Sequence, residues 1–115
     1  MWVSLYNEKQ RQLIMVKQLD NSVEVFEHMF ALAKTFGHPL AYTDLIIDAQ
    51  SIYSALNQGH DFYWLLRTTG SDFCQDEDVL VDMEGKRGNK VAYAYCAYNG
   101  KDNTFSFELN FYNNK

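Results

Sequence analysis

The sequence predicts an α+β fold: an antiparallel helix pair packed on one face of an antiparallel sheet, with a C-terminal three-stranded meander. Two observations carry that prediction. Apolar residues recur at helical spacing between residues 21 and 59, then alternate with period two from residue 62 onward. A content of 47% hydrophobic and 16% aromatic residues supplies a real core and separates the chain from disordered sequences. With 115 residues, positions 1–115 form a single globular domain large enough to fold without staples.

At the N-terminus, residues 2–6 and 13–19 read as a hairpin around 7–11. A helical stripe of Leu5, Gln12, Leu13, Val16 and Leu19 from a Ser4 cap is the alternative. Asn21 then caps a helix, with Glu24 in capping-box position. Phe26, Met29, Phe30 and Ala33 form its apolar stripe, Gly37 suits its end, and Pro39 prevents continuation. Thr43 is the expected cap of a second helix, with Asp44 near its positive end. Leu45, Ala49, Ile52, Tyr53 and Leu56 are its stripe and Gly59 its stop. A short link makes the two helices antiparallel neighbours.

From residue 62 the period changes. Residues 62–66 read as a buried strand, 71–78 as an acidic connection, and 79–84 as a strand alternating Val79, Val81 and Met83 with Leu80, Asp82 and Glu84. Gly85, Lys86, Arg87 and Gly88 form a turn, and 91–98 and 104–112 are strands around 99–103. Even loops predict Val81 opposite Ala92, Val79 opposite Ala94, and Ala92, Ala94 and Cys96 opposite Leu109, Phe107 and Phe105. One face is then apolar; the other carries Leu80, Asp82, Tyr93, Tyr95, Ser106, Glu108 and Asn110.

Several function classes find no support. There is no secretory signal and no apolar run near the ~20 residues of a membrane span, so a cytoplasmic protein without membrane contact is expected. Cys74 and Cys96 are then expected as unjoined thiols. A net charge of −5 argues against direct nucleic-acid binding. No cofactor motif is present, and His28, His38 and His60 lack metal-ligand spacing. The run Asp76, Glu77, Asp78 lacks the pattern of a calcium loop. Gly85 to Gly88 joins strands and is no phosphate loop. Cys74 sits among carboxylates that disfavour its thiolate.

Two constellations remain. His60 and Asp61 after Gly59, with Arg67 further along, form the most enzyme-like set: a loop base and an anion-holding guanidinium. A histidine at a helix end and a solvated aspartate explain the pair with no need of catalysis. Tyr93 and Tyr95 beside Asp82 and Glu108 form an aromatic, acidic patch if no other element covers them. Charge is also segregated: residues 38–84 hold nine acids and one arginine, a net −8, against +3 elsewhere. The expected function is therefore a small acidic protein-binding domain, an inhibitor or immunity-type protein. It would block a basic partner such as a nuclease toxin or nucleic-acid-handling effector through Asp76, Glu77, Asp78, Asp82, Tyr93, Tyr95 and Glu108. The rival readings are a small enzyme or ligand-binding domain using His60, Asp61 and Arg67, and a homodimeric accessory subunit.

Overall fold

The computed structural model of the chain describes residues 2–7, 12–36, 38–80 and 88–112. Two strands, β1 (Trp2–Asn7) and β2 (Gln12–Leu19), pair antiparallel, so the hairpin reading of the N-terminus holds. Helix α1 (Ser22–Phe36) begins with the expected cap: Glu24 N–H donates to Asn21 Oδ1 at 2.9 Å, and Asp20 N–H donates to Glu24 Oε1 at 3.1 Å. Val25, Met29, Leu32 and Ala33 form its buried stripe, with Phe26 and Phe30 packed at the margin. Gly37, the expected helix end, lies outside the described residues.

The single helix expected after Thr43 is two helices, α2 (Pro39–Ile47) and α3 (Ala49–Asn57). Pro39 opens α2 rather than separating it from α1. At the first helical position its missing N–H would be unpaired anyway, and its fixed φ suits the helix. His38 is the cap, its Nδ1 accepting from Leu40 N–H at 3.1 Å, so Thr43 lies inside the helix. Asp48, at φ −91° and ψ 3°, breaks the chain between α2 and α3. Gly59 stops α3 as expected: at φ +73° it allows His60 N–H to reach Ala55 O and its own N–H to reach Leu56 O.

The remaining strands are β3 (Phe62–Arg67), β4 (Gly70–Cys74), β5 (Lys90–Asn99) and β6 (Thr104–Phe111), with one 3-10 turn at Glu77–Leu80. All pair antiparallel in one six-stranded sheet of order β1-β2-β6-β5-β3-β4. The acidic connection expected at 71–78 is in part an edge strand. A two-residue turn joins β3 to β4, and α2 supplies partners for the polar edge: Ser71 N–H donates to Asp44 Oδ2 at 3.0 Å and Ser71 Oγ–H to Ala41 O at 3.2 Å. Strand geometry here comes from satisfied backbone groups, not from apolar alternation.

Of the hairpin expected between 79–84 and β5, the described residues take other places. Val79 and Leu80 lie in the 3-10 turn, and Ala92 and Ala94 pair with Leu66 and Trp64 of β3. Residues 81–84 and the turn residues 85–87 lie outside the described residues. The reason is complementarity: β5 offers Ala92, Ala94 and Cys96 to one face, and β3 sets Leu66, Trp64 and Phe62 directly opposite. Burying those large side chains against small ones removes a large apolar surface from water.

Between β5 and β6 the loop is even, as expected, but four residues long, with Asn99 paired to Thr104. Every predicted partner therefore shifts by two: Ala94 faces Leu109 and Cys96 faces Phe107. A shift of two preserves the faces, because side chains alternate with period two. Phe62, Trp64, Leu66, Phe105, Phe107 and Leu109 consequently join Val25, Met29, Leu45 and Ile52 in one core between the sheet and the helices. The α+β architecture with helices on one face of an antiparallel sheet stands.

Candidate functional site

The face of the sheet turned away from the helices holds the side chains that the sheet register brings together. In one row across the sheet Cys74, Tyr63, Tyr95, Glu108 and Val16 are direct partners; in the next, Asp72, Leu65, Tyr93 and Asn110. Tyr63 and Tyr95 pack with ring centroids 4.9 Å apart and planes inclined by 43°. The Tyr95 hydroxyl donates to Asp61 Oδ2 at 2.5 Å. Glu108 Oε2 accepts from Asn110 Nδ2 at 3.2 Å. The Tyr93 and Tyr112 rings lie 5.6 Å apart and are inclined by 53°, and the Lys90 ammonium lies 5.5 Å from the Tyr112 ring centroid.

Toward β4 this face is covered. The 3-10 turn packs against β3 and β4, and Leu65, although it points away from the helices, is fully buried. The cations at that end are held within the protein: Arg67 Nε bonds Asp72 Oδ2 at 3.0 Å, Arg67 Nη1 donates to Gly88 O, and Lys90 Nζ donates to Leu80 O at 2.7 Å. Among the described residues, Tyr63, Tyr93 and Tyr95 stay partly exposed on this face, with Asp61, Glu77 and Glu108 as the carboxylates whose charge reaches them.

The phenol ionisations report that charge. The Tyr95 hydroxyl is pushed up to about 12, first by its hydrogen bond to Asp61 and then by desolvation. Tyr63 is raised by desolvation and then by the charges of Glu77, Asp61 and Glu108. Desolvation also raises Tyr93, with Glu108 the leading charge against it. No described residue forms an ion pair with Asp61, Glu77 or Glu108.

Of the residues singled out from sequence, Tyr93, Tyr95 and Glu108 therefore share one surface, and Glu77 borders it. Asp76 accepts from the Cys74 thiol at 3.3 Å. Asp78 belongs to the 3-10 turn, and Asp82 lies outside the described residues. The acids of 38–84 do not make one surface: Asp44 serves the helix layer and Asp48 the α2–α3 junction, whereas Asp61, Asp72 and Glu77 belong to the far side. Sequence reasoning missed Tyr63 and the role of Asp61. Alternation of Tyr63 with Phe62 and Trp64 was the available signal, hidden by the uniformly apolar look of β3.

The enzyme-like set is not assembled. His60 Nε2 bonds Gln58 Oε1 at 3.1 Å, Asp61 is taken by Tyr95, and Arg67 is buried at the opposite end of β3, roughly 20 Å away at strand spacing. Among the described residues no group of three or more His, Cys, Asp or Glu side chains is placed to hold a metal ion. Cys74 and Cys96 are both free thiols; Cys74 closes strand β4 rather than lying in a loop, and burial pushes Cys96 up to about 12. An open groove of about 350 Å³ lies between the start of α1, the end of α3 and the β5–β6 loop. Two of its polar side chains bond within the protein, Tyr98 to Asn103 and Gln58 to Ser54. Among the described residues no helix is long and apolar enough to cross a membrane. No protein-family model matches the chain, and neither a curated protein nor a solved structure is significantly similar to it.

Proposed function

We propose that this is a small acidic protein-binding domain whose far sheet face docks a basic protein partner, in the manner of an inhibitor or immunity-type protein. The observation that carries the reading is the strip Tyr63, Tyr93 and Tyr95 set among Asp61, Glu77 and Glu108, carboxylates without a described counter-ion. Tyrosine gives large contact area at low entropic cost, and uncompensated acid attracts and orients a cationic surface. A nuclease toxin or nucleic-acid-handling effector, whose cleft is positive in order to bind phosphate, is the partner class this chemistry suits. Asp76 and Asp78 contribute to steering in this reading, and Tyr95 to short-range grip.

The test is a kinetic binding assay against a basic partner recovered from the native host, run at low and moderate salt. Association should slow as the screening length contracts from roughly 30 Å at 0.01 M to about 10 Å at 0.1 M salt. Charge removal at Glu77 and Glu108 should lower the association rate, whereas Tyr95→Ala should mainly raise dissociation. Affinity indifferent to salt and to these changes, or self-association as the only interaction through this face, would remove the reading.

A further inference from the structure

At the centre of the far face the molecule sets two aromatic rings side by side among carboxylates. We propose that the Tyr63–Tyr95 step, flanked by Glu108, Asp61 and Glu77, is the seat of an arginine side chain presented by the basic partner. The inference rests on the binding-face reading above and names the chemical group that the face receives.

Four observations support it. The two rings lie 4.9 Å apart, are inclined by 43°, and are both partly exposed on the face turned away from the core. Glu108 stands directly opposite Tyr95 in the register, and its Oε2 accepts from the neutral amide of Asn110. Asp61 lies at the hydroxyl end of Tyr95, with one oxygen engaged by that hydroxyl. Finally, the protein uses the same chemistry one step along the same face, where Lys90 lies over Tyr112 beside Tyr93. The cations described near Tyr63 and Tyr95 are committed elsewhere, Arg67 to Asp72 and Lys90 to Leu80 O.

Arginine fits this seat better than lysine. Its guanidinium is planar and weakly hydrated, so it stacks on a tyrosine face while its edge donates to a carboxylate. A lysine ammonium keeps its water more strongly and has no face to stack. The expected geometry is a guanidinium lying on the tyrosine step with its N–H edge toward Glu108.

The experiment is an NMR titration of the isotope-labelled protein at low salt with a blocked Gly-Arg-Gly-Arg-Gly peptide and with its lysine and citrulline counterparts. The arginine peptide should move the ring signals of Tyr63 and Tyr95 and the amides of their rows in β3, β5 and β6. It should bind about fivefold more tightly than the lysine peptide, and the neutral citrulline peptide should not bind there. Glu108→Gln and Tyr95→Leu, each with a dispersed spectrum showing the fold intact, should weaken the arginine peptide by about fivefold. Equal binding of arginine and lysine peptides on this face would overturn the arginine assignment and leave the binding face standing. Shifts confined to other surfaces with both cationic peptides would overturn both. Unchanged affinity in Glu108→Gln would remove the carboxylate from the seat and with it the proposal.

Discussion

Acidification should weaken this fold through His28 alone by an amount large enough to measure. The imidazole lies on the inward side of α1, only 9% exposed, with its ring edge-on to Phe107 at a centroid distance of 5.0 Å. Lys17 shares that neighbourhood, since it pairs with Phe107 across β2 and β6. Burial, and then the charge of Lys17, pull the His28 pKa from 6.5 to about 4. The unfolded chain therefore takes up the proton first as pH falls. The stabilisation is fully present above about pH 6.5, is lost between there and about pH 4, and changes no further below. With those two values, the contribution lost between about pH 7 and about pH 4.5 is about 2 kcal/mol. Against the roughly 5–15 kcal/mol typical of a domain, that is a substantial share.

Carboxylates also titrate in this window, so the measurement must be a difference. Urea unfolding of the wild type and of His28→Leu, at both pH values, cancels the groups they share. The stability of the wild type relative to the variant should fall by about 2 kcal/mol on acidification. The ring-proton titration of His28 by NMR gives the folded value directly and should centre near 4. A His28 midpoint near 6.5, or a wild-type-minus-variant difference that is flat with pH, would refute the buried placement of the ring and the packing of α1 against β6.

Phe107→Ala should destabilise the fold by about 3–5 kcal/mol, because the side chain is fully buried between sheet and helices; an unchanged denaturation midpoint would contradict the register of β6. Gly59→Ala should cost about 1–2 kcal/mol in the same assay, since the residue holds φ +73° and a Cβ there would sit 3.1 Å from the Tyr98 ring. Under native conditions an alkylating reagent should label the half-buried Cys74 and leave Cys96 untouched until the protein unfolds, which peptide mass spectrometry reads directly; equal labelling rates would show that β5 is not central.

How far the sequence reached follows from the range of the interactions involved. The cap at Asn21 and Glu24, the stop at Gly59 and the alternation of Phe105, Phe107 and Leu109 are local, and each was legible from neighbours within a few residues. The inward and outward faces of β5 and β6 were also legible, because they depend on loop parity and not on loop length. That is why Tyr93, Tyr95 and Glu108 could be assigned to one surface despite a register wrong by two. Strand partnership was not legible, because Val79 and Val81 alternate as well as many true strands do. What takes that edge of β5 is β3, whose Phe62, Trp64 and Leu66 stand opposite Cys96, Ala94 and Ala92. Pro39 likewise reads as a helix breaker until His38 is seen to cap the turn it begins. The tyrosine step itself is tertiary in origin. Tyr63 and Tyr95 are 32 positions apart in the chain, and only the pairing of β3 with β5 sets their rings side by side and brings Asp61 to the hydroxyl of Tyr95. Composition and the change of apolar period at residue 62 determined that the chain would fold as an acidic α+β domain; the non-local choice of strand neighbours decided which of its acids and aromatics meet.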